Sequence, residues 1–83
     1  MIQSFTDKRI ERFFEDGICP AEWRSFESVA LRKLDYLNAA AVIGDLRSPP
    51  GNRLELLRIN RQWRICFRWT ENGPEGVEIC DYH

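Results

Sequence analysis

One break in hydrophobic period constrains this chain more than any other feature. Before the run Ser48-Pro49-Pro50-Gly51-Asn52, apolar residues recur three and four apart; after it they alternate. Proline fixes φ and lacks a backbone donor, so the run is neither helix nor central strand, and an ordered connection over residues 40–52 is expected. Helices therefore precede strands, which is the order of an α+β domain whose helices cover one face of an antiparallel sheet.

Within the first half, Met1 to Phe5 alternates and reads as a short strand. Thr6 is the expected N-cap of a first helix, with Asp7 at the favourable end of its dipole. Ile10, Phe13 and Phe14 form one face of that helix, and Gly17 stops it. Pro20 suits the first turn of a second helix, running from about 21 to 39 and striped by Trp23, Phe26, Ala30, Leu34 and Leu37. The stripe reads as core rather than as a docking face, because aromatic side chains at helical spacing fill the interior of a small protein.

In the second half, Trp63, Ile65, Phe67 and Trp69 point to one side of a strand and Arg64, Cys66 and Arg68 to the other. Asn72-Gly73 signals a turn, and Gly76 to Tyr82 reads as the returning strand, with Val77 and Ile79 directed inward. The strand Trp63 to Trp69 thus has a covered side and an open one, and the open side carries arginines.

At 83 residues the chain is long enough for one domain, 1–83, and its 43% hydrophobic and 30% charged residues are those of a folding chain. The longest apolar run, Ala39 to Ile43, is far short of the roughly 20 residues of a membrane span, and no secretory signal begins the sequence, so a soluble, cytoplasmic protein with no membrane partner is expected. Cys19, Cys66 and Cys80 are odd in number and show no C-x-x-C spacing. That argues against a disulfide framework and against a zinc site; with His83 as the single histidine, no metal and no cofactor are expected. Cys66 and Cys80, in apolar runs, are read as buried reduced thiols.

The net charge of −1 hides an uneven distribution. Residues 1–46 hold six basic and eight acidic side chains, 47–68 hold six arginines against Glu55, and 69–83 hold four acids and no base. Arginine presents a planar fork of donors that matches phosphate and also stacks on bases. Arg53, Arg58, Arg61 and Arg68 are candidate RNA-binding residues on this ground. A solvated strand face, or pairing with the acidic tail, would explain the same block.

The chain ends Asp81-Tyr82-His83, which groups an acid, a phenol and an imidazole at the end of a strand beside the arginine strand. RNA can be cut without a metal or a protein nucleophile, since its own 2′-hydroxyl attacks the adjacent phosphate. The protein must then hold that geometry, stabilise the phosphorane charge and move two protons. Arg64, Tyr82 and His83 supply groups suited to these tasks. Against this stands an ordinary reading, in which His83 is a frayed terminal residue and Tyr82 packs on the sheet edge.

Three motifs in order, Leu46-Arg47-Ser48-Pro49-Pro50-Gly51-Asn52-Arg53-Leu54, Trp63-Arg64-Ile65-Cys66-Phe67 and Asp81-Tyr82-His83, resemble the HigB toxins of the RelE superfamily. Ile2-Gln3-Ser4-Phe5 leading to Arg12-Phe13-Phe14 fits as well, so the resemblance covers nearly the whole chain. It implies a RelE-like fold with two N-terminal helices on a small antiparallel sheet. It also implies a toxin that enters the ribosomal A site, cleaves messenger RNA there without a metal ion, and is neutralised by a HigA-type antitoxin. By resemblance Arg64 contacts the scissile phosphate, His83 transfers a proton, Tyr82 stacks on or orients a base, and Asp81 positions its neighbours. A non-catalytic module of the same fold that only holds RNA or antitoxin is the alternative.

The chain departs from the family pattern in two places. The link between its helices is only Asp16 to Pro20, and residues that relatives carry between the counterparts of Leu57 and Arg58 are missing, among them a basic contributor to the site. Glu55 stands where some relatives have histidine. Either the chain is a shortened variant with weakened activity or the polypeptide is broken between Leu57 and Arg58; because Leu57-Arg58-Ile59-Asn60-Arg61-Gln62 reads as a poor tight hairpin, the break is the preferred expectation.

Overall fold

The computed structural model describes residues 1–40 and 55–81. The expected connection over 40–52, Arg53, Tyr82 and His83 therefore fall wholly or almost wholly outside the described residues. The first helix, α1, spans Lys8–Asp16. Its N-cap is Asp7 rather than Thr6: the Asp7 carboxylate accepts from the backbone N–H groups of Arg9 and Ile10, at 2.9 and 3.1 Å. A carboxylate at this position both satisfies orphan donors and meets the positive end of the helix dipole, which a hydroxyl does less well. Gly17 ends the helix in the left-handed region, φ 73°, as its sequence position implied.

The second helical stretch has two parts. Ala21–Phe26 is a 3-10 helix, entered from Pro20 with Trp23 N–H donating to the Pro20 carbonyl at 3.0 Å, and Glu27–Ala39 is an α-helix, α2. The aromatic stripe is buried along both: Trp23, Phe26, Ala30, Leu34 and Leu37 join Ile10 and Phe13 of α1 in one core. Phe13 meets Trp23 edge-on, with ring centroids 5.4 Å apart, while the Arg9 guanidinium lies over the Trp23 ring and pairs with Glu22. None of these helices is long and apolar enough to cross a membrane.

Among the described residues three antiparallel strands follow, β1 (Glu55–Arg58), β2 (Trp63–Thr70) and β3 (Gly73–Asp81), in the spatial order β1-β2-β3. Ile65, Phe67 and Val77 face the helices and close the core, with Trp63, Trp69 and Ile79 packed at its margin. The fold is the expected α+β arrangement of two helices on a small antiparallel sheet. The N-terminal segment adds a short parallel contact to the free edge of β3, where Val77 N–H donates to Ser4 and Thr6 N–H to Val77.

Two readings are corrected here. Leu57 and Arg58 are consecutive residues of β1, opposite Ile65 and Arg64 in an unbroken register, so the chain is continuous where a break was expected. The turn after them works because Asn60 supplies its own hydrogen bonds, described below. Cys66 and Cys80 are not a pair of reduced thiols: a disulfide joins them across β2 and β3, their Cα atoms 6.4 Å apart. Arg64 pairs with Cys80 and Cys66 with Glu78, so the two sulfurs occupy diagonal positions on one face. An odd cysteine count is no obstacle, since Cys19 is left over as a free thiol.

Gly73 opens β3 at φ 128°, and a Cβ there would collide with the Met1 carbonyl oxygen. Gly73→Ala is expected to destabilise the fold by about 1–3 kcal/mol through strain and displacement of the N-terminal segment. Urea unfolding against Gly17→Ala, whose added Cβ meets nothing within 4 Å, checks this: the Gly73 variant loses more.

Candidate functional site

The turn that reverses the chain between β1 and β2 carries most of the site. The Asn60 side-chain oxygen accepts from the backbone N–H groups of Gln62 and Trp63, both at 2.8 Å, and the N–H groups of Ile59 and Asn60 donate to the Trp63 carbonyl. Asparagine mimics a backbone turn in this way, which lets a short hairpin close without glycine or proline. Ile59 anchors the turn by burying its side chain in the core.

The same turn gathers guanidinium groups. Arg58 and Arg64 are direct cross-strand partners, a placement in which like charges repel. The Asn60 carbonyl oxygen sits between them, accepting from Arg58 Nε at 3.4 Å and from Arg64 Nη1. Arg64 Nη1 also donates to the Trp63 carbonyl at 3.1 Å. Arg61, exposed within the turn, adds a third cation at this end of the sheet. One backbone carbonyl thus offsets repulsion that an anionic ligand would relieve further.

β3 ends at the same place. Arg64 is opposite Cys80, and Trp63 is opposite Asp81. Directly opposed residues share a face, so the backbone directs Arg64 and Asp81 to alternate sides at one end of the sheet. Gln62 reaches across from the turn and donates to the Asp81 carboxylate at 3.1 Å, tying the end of β3 to the β1–β2 turn. Of the expected site residues, Arg58 and Arg64 are cross-strand partners with Arg61 in the turn beside them, whereas Asp81 lies at the same end of the sheet but is directed to its other face. Arg53, Tyr82 and His83 lie outside the described residues, the last two directly following Asp81 in sequence.

Arg68 does not join them. It lies four residues along β2 from Arg64, about 13 Å at strand rise, and faces Glu75 at 3.8 Å across β3. Glu55 is buried on the covered side opposite Phe67, away from the arginine face, and its Oε1 has no hydrogen-bond partner among the described residues. Cys19 is remote from the arginine cluster in sequence, its thiol donating to the Pro20 carbonyl; burial pushes its pKa up, the Glu27 carboxylate adds to this, and Arg24 opposes it.

Reasoning from the sequence missed Asn60 and Gln62. The available signal was an asparagine two residues before an amide side chain inside an arginine-rich reversal, a pattern with a turn mechanism of its own.

Comparison with known proteins follows the same lines. Residues 3–83 match the family described as the RelE-like toxin of type II toxin-antitoxin system HigB. Toxin HigB-1 of Vibrio cholerae serotype O1 is 39% identical over 96 aligned positions, covering 99% of this chain and 94% of the relative. An uncharacterised protein of Haemophilus influenzae is 36% identical over 88 positions, covering 93% of this chain and 87% of the relative. Both alignments are longer than this chain, so the relatives carry residues that it lacks.

Asn60→Ala leaves two backbone donors without their acceptor and is expected to cost about 1–2 kcal/mol in urea unfolding. Asn60→Asp keeps the acceptor and is expected to recover most of that loss. Equal destabilisation by both variants would show that the side-chain oxygen does not hold the turn.

Proposed function

Because this chain belongs to the HigB-like toxin family, RelE-like toxins of type II toxin-antitoxin systems, we propose that it is a ribosome-dependent messenger-RNA endonuclease. A toxin of such a system has an antitoxin partner, and a HigA-type protein is the one this reading expects. The observation that supports the reading is the pairing of Arg58 and Arg64 about the Asn60 carbonyl, with Arg61 in the same turn, at the end of the sheet where β3 delivers Asp81 on the other face.

The chemistry proceeds without a protein nucleophile or a metal ion. Arg64 grips the scissile phosphate through its planar donor fork and stabilises the charge that grows on the phosphoryl oxygens as the adjacent 2′-hydroxyl attacks. Arg58 and Arg61 bind flanking phosphates, with Arg53 a further contributor from the preceding segment. Arg68, paired with Glu75 and farther along β2, contributes less. His83 moves a proton between the 2′-hydroxyl and the leaving 5′-oxygen, Tyr82 stacks on or orients a base, and Asp81 positions the two residues after it. The ribosomal A site presents the messenger in the geometry that in-line attack needs.

Purified protein is expected to fragment messenger RNA only when translating ribosomes are present. Arg64→Ala should lower the cleavage rate by about 100-fold or more, the scale of losing one charge-stabilising donor, with the far-ultraviolet circular dichroism unchanged. Deleting residues 81–83 should abolish cleavage and relieve growth arrest on expression. Arrest that persists after this deletion assigns the protein to the non-catalytic alternative, and cleavage at the parent rate by both variants overturns the site.

A further inference from the structure

The open face of the sheet holds a second cluster whose chemistry the cleavage reading does not use. Cys66 of β2 and Cys80 and Glu78 of β3 bring two sulfurs and a carboxylate oxygen within 4.8 Å of one another. Cys66 and Glu78 are direct cross-strand partners, and Cys80 sits two residues beyond Glu78, so all three side chains rise from the same face. Cys66 is 4% exposed, yet it lies outside the core beneath the helices, while Glu78 and Cys80 are half-buried and open to solvent. Leu56, opposite Cys66 on β1, provides an apolar wall.

We propose that the reduced form of this cluster is a binding site for a thiophilic divalent cation such as zinc, held by Cys66, Cys80 and Glu78. The structure shows the oxidised form, in which the sulfurs bond to each other. A thiol reductant supplies two electrons and two protons to the disulfide and yields two thiols. Binding of the cation then releases both protons, giving two metal–thiolate bonds and one metal–carboxylate bond. Zinc at its usual bond lengths needs donors about 3.5–3.8 Å apart; Cys80 Sγ already lies 3.5 Å from Glu78 Oε1, and reduction frees the two sulfurs to separate. Three protein donors on a pleated face form a tripod, and the solvent side of Glu78 and Cys80 leaves the fourth position to water.

The charges agree with this assignment. Two thiolates and a carboxylate carry −3, a divalent ion leaves −1, and Arg64 and Arg68 flank Cys66 on the same face of β2. Cationic neighbours favour thiolate over thiol, which assists metal capture. The spacing Cys66 to Cys80 resembles no zinc motif along the sequence, because the ligands are assembled by strand register. The ion and the disulfide compete for the same sulfurs, and either one ties Cys80, the residue opposite Arg64, to β2.

The test uses the full chain reduced with a phosphine, freed of reductant and titrated with Co²⁺. One equivalent of cobalt is expected to produce thiolate-to-cobalt charge-transfer absorption, displaced by Zn²⁺. Cys80→Ser should abolish it, Glu78→Gln should weaken binding at least tenfold, and Cys19→Ser should leave it unchanged. Cys66 is buried, so its contribution is read in the unaltered chain: zinc should slow alkylation of Cys66 and Cys80 at least tenfold while sparing the rate at Cys19. No charge-transfer band in the folded, reduced protein, a band that survives Cys80→Ser or is lost in Cys19→Ser, Glu78→Gln binding as tightly as the parent, or alkylation unaffected by zinc would each overturn the site.

Discussion

The molecule depends on one strand meeting two demands at once. β2 is hydrogen-bonded along both edges, so its register sets that of β1 and β3. Its alternate side chains, Ile65 and Phe67 with Trp63 and Trp69 at the margin, are the seat on which the helices pack. A slip of one residue would turn that apolar set outward and drive Arg64 and Arg68 into the core, at a cost no domain of this size tolerates. The burial that stabilises the fold therefore also fixes which side the arginines occupy.

Placement of charge follows from that register and from one turn. Arg58 opposite Arg64 is an unfavourable pair taken alone, and the Asn60 carbonyl, presented to both, makes it tolerable. The Asn60 side chain is in turn what holds that carbonyl in place. Local stability is thus set against the concentration of positive charge, and a bound polyanion would add attraction.

How far the sequence disclosed this depended on whether the information was local. The helical stripe from Trp23 to Leu37, the stop at Gly17, the alternation from Trp63 to Trp69 and the turn at Asn72-Gly73 are all written in neighbouring residues and were legible. The choice of Asp7 over Thr6 as cap was a local competition between two good candidates, decided by which side chain reaches the N–H groups of Arg9 and Ile10. The Cys66–Cys80 link and the separation of Arg68 from Arg64's cluster depend on strand register and could not be read from spacing. The Leu57–Gln62 reversal was misjudged for a different reason: its length was weighed, and the hydrogen-bonding capacity of Asn60 was not. The arrival of Asp81 at the arginine-bearing end of the sheet was legible from the expected pairing of the two strands, whereas its direction to the other face from Arg64 depends on register and was not.

The proposed chemistry assigns proton transfer to His83, two residues beyond the end of β3, so the placement of that strand bears on it. Two fastenings act on the strand that leads there. Gln62 holds the Asp81 carboxylate from the β1–β2 turn, and the Cys66–Cys80 link joins β3 to β2 one residue earlier. Both act between the strand that carries Arg64 and the strand that delivers the terminus, so both restrict the same relative motion. In-line attack on a phosphate requires its partners within a few tenths of an ångström of their working positions. Fastening β3 at Cys80 and Asp81 therefore fixes the end of that strand relative to the guanidinium to which the proposal assigns the phosphate.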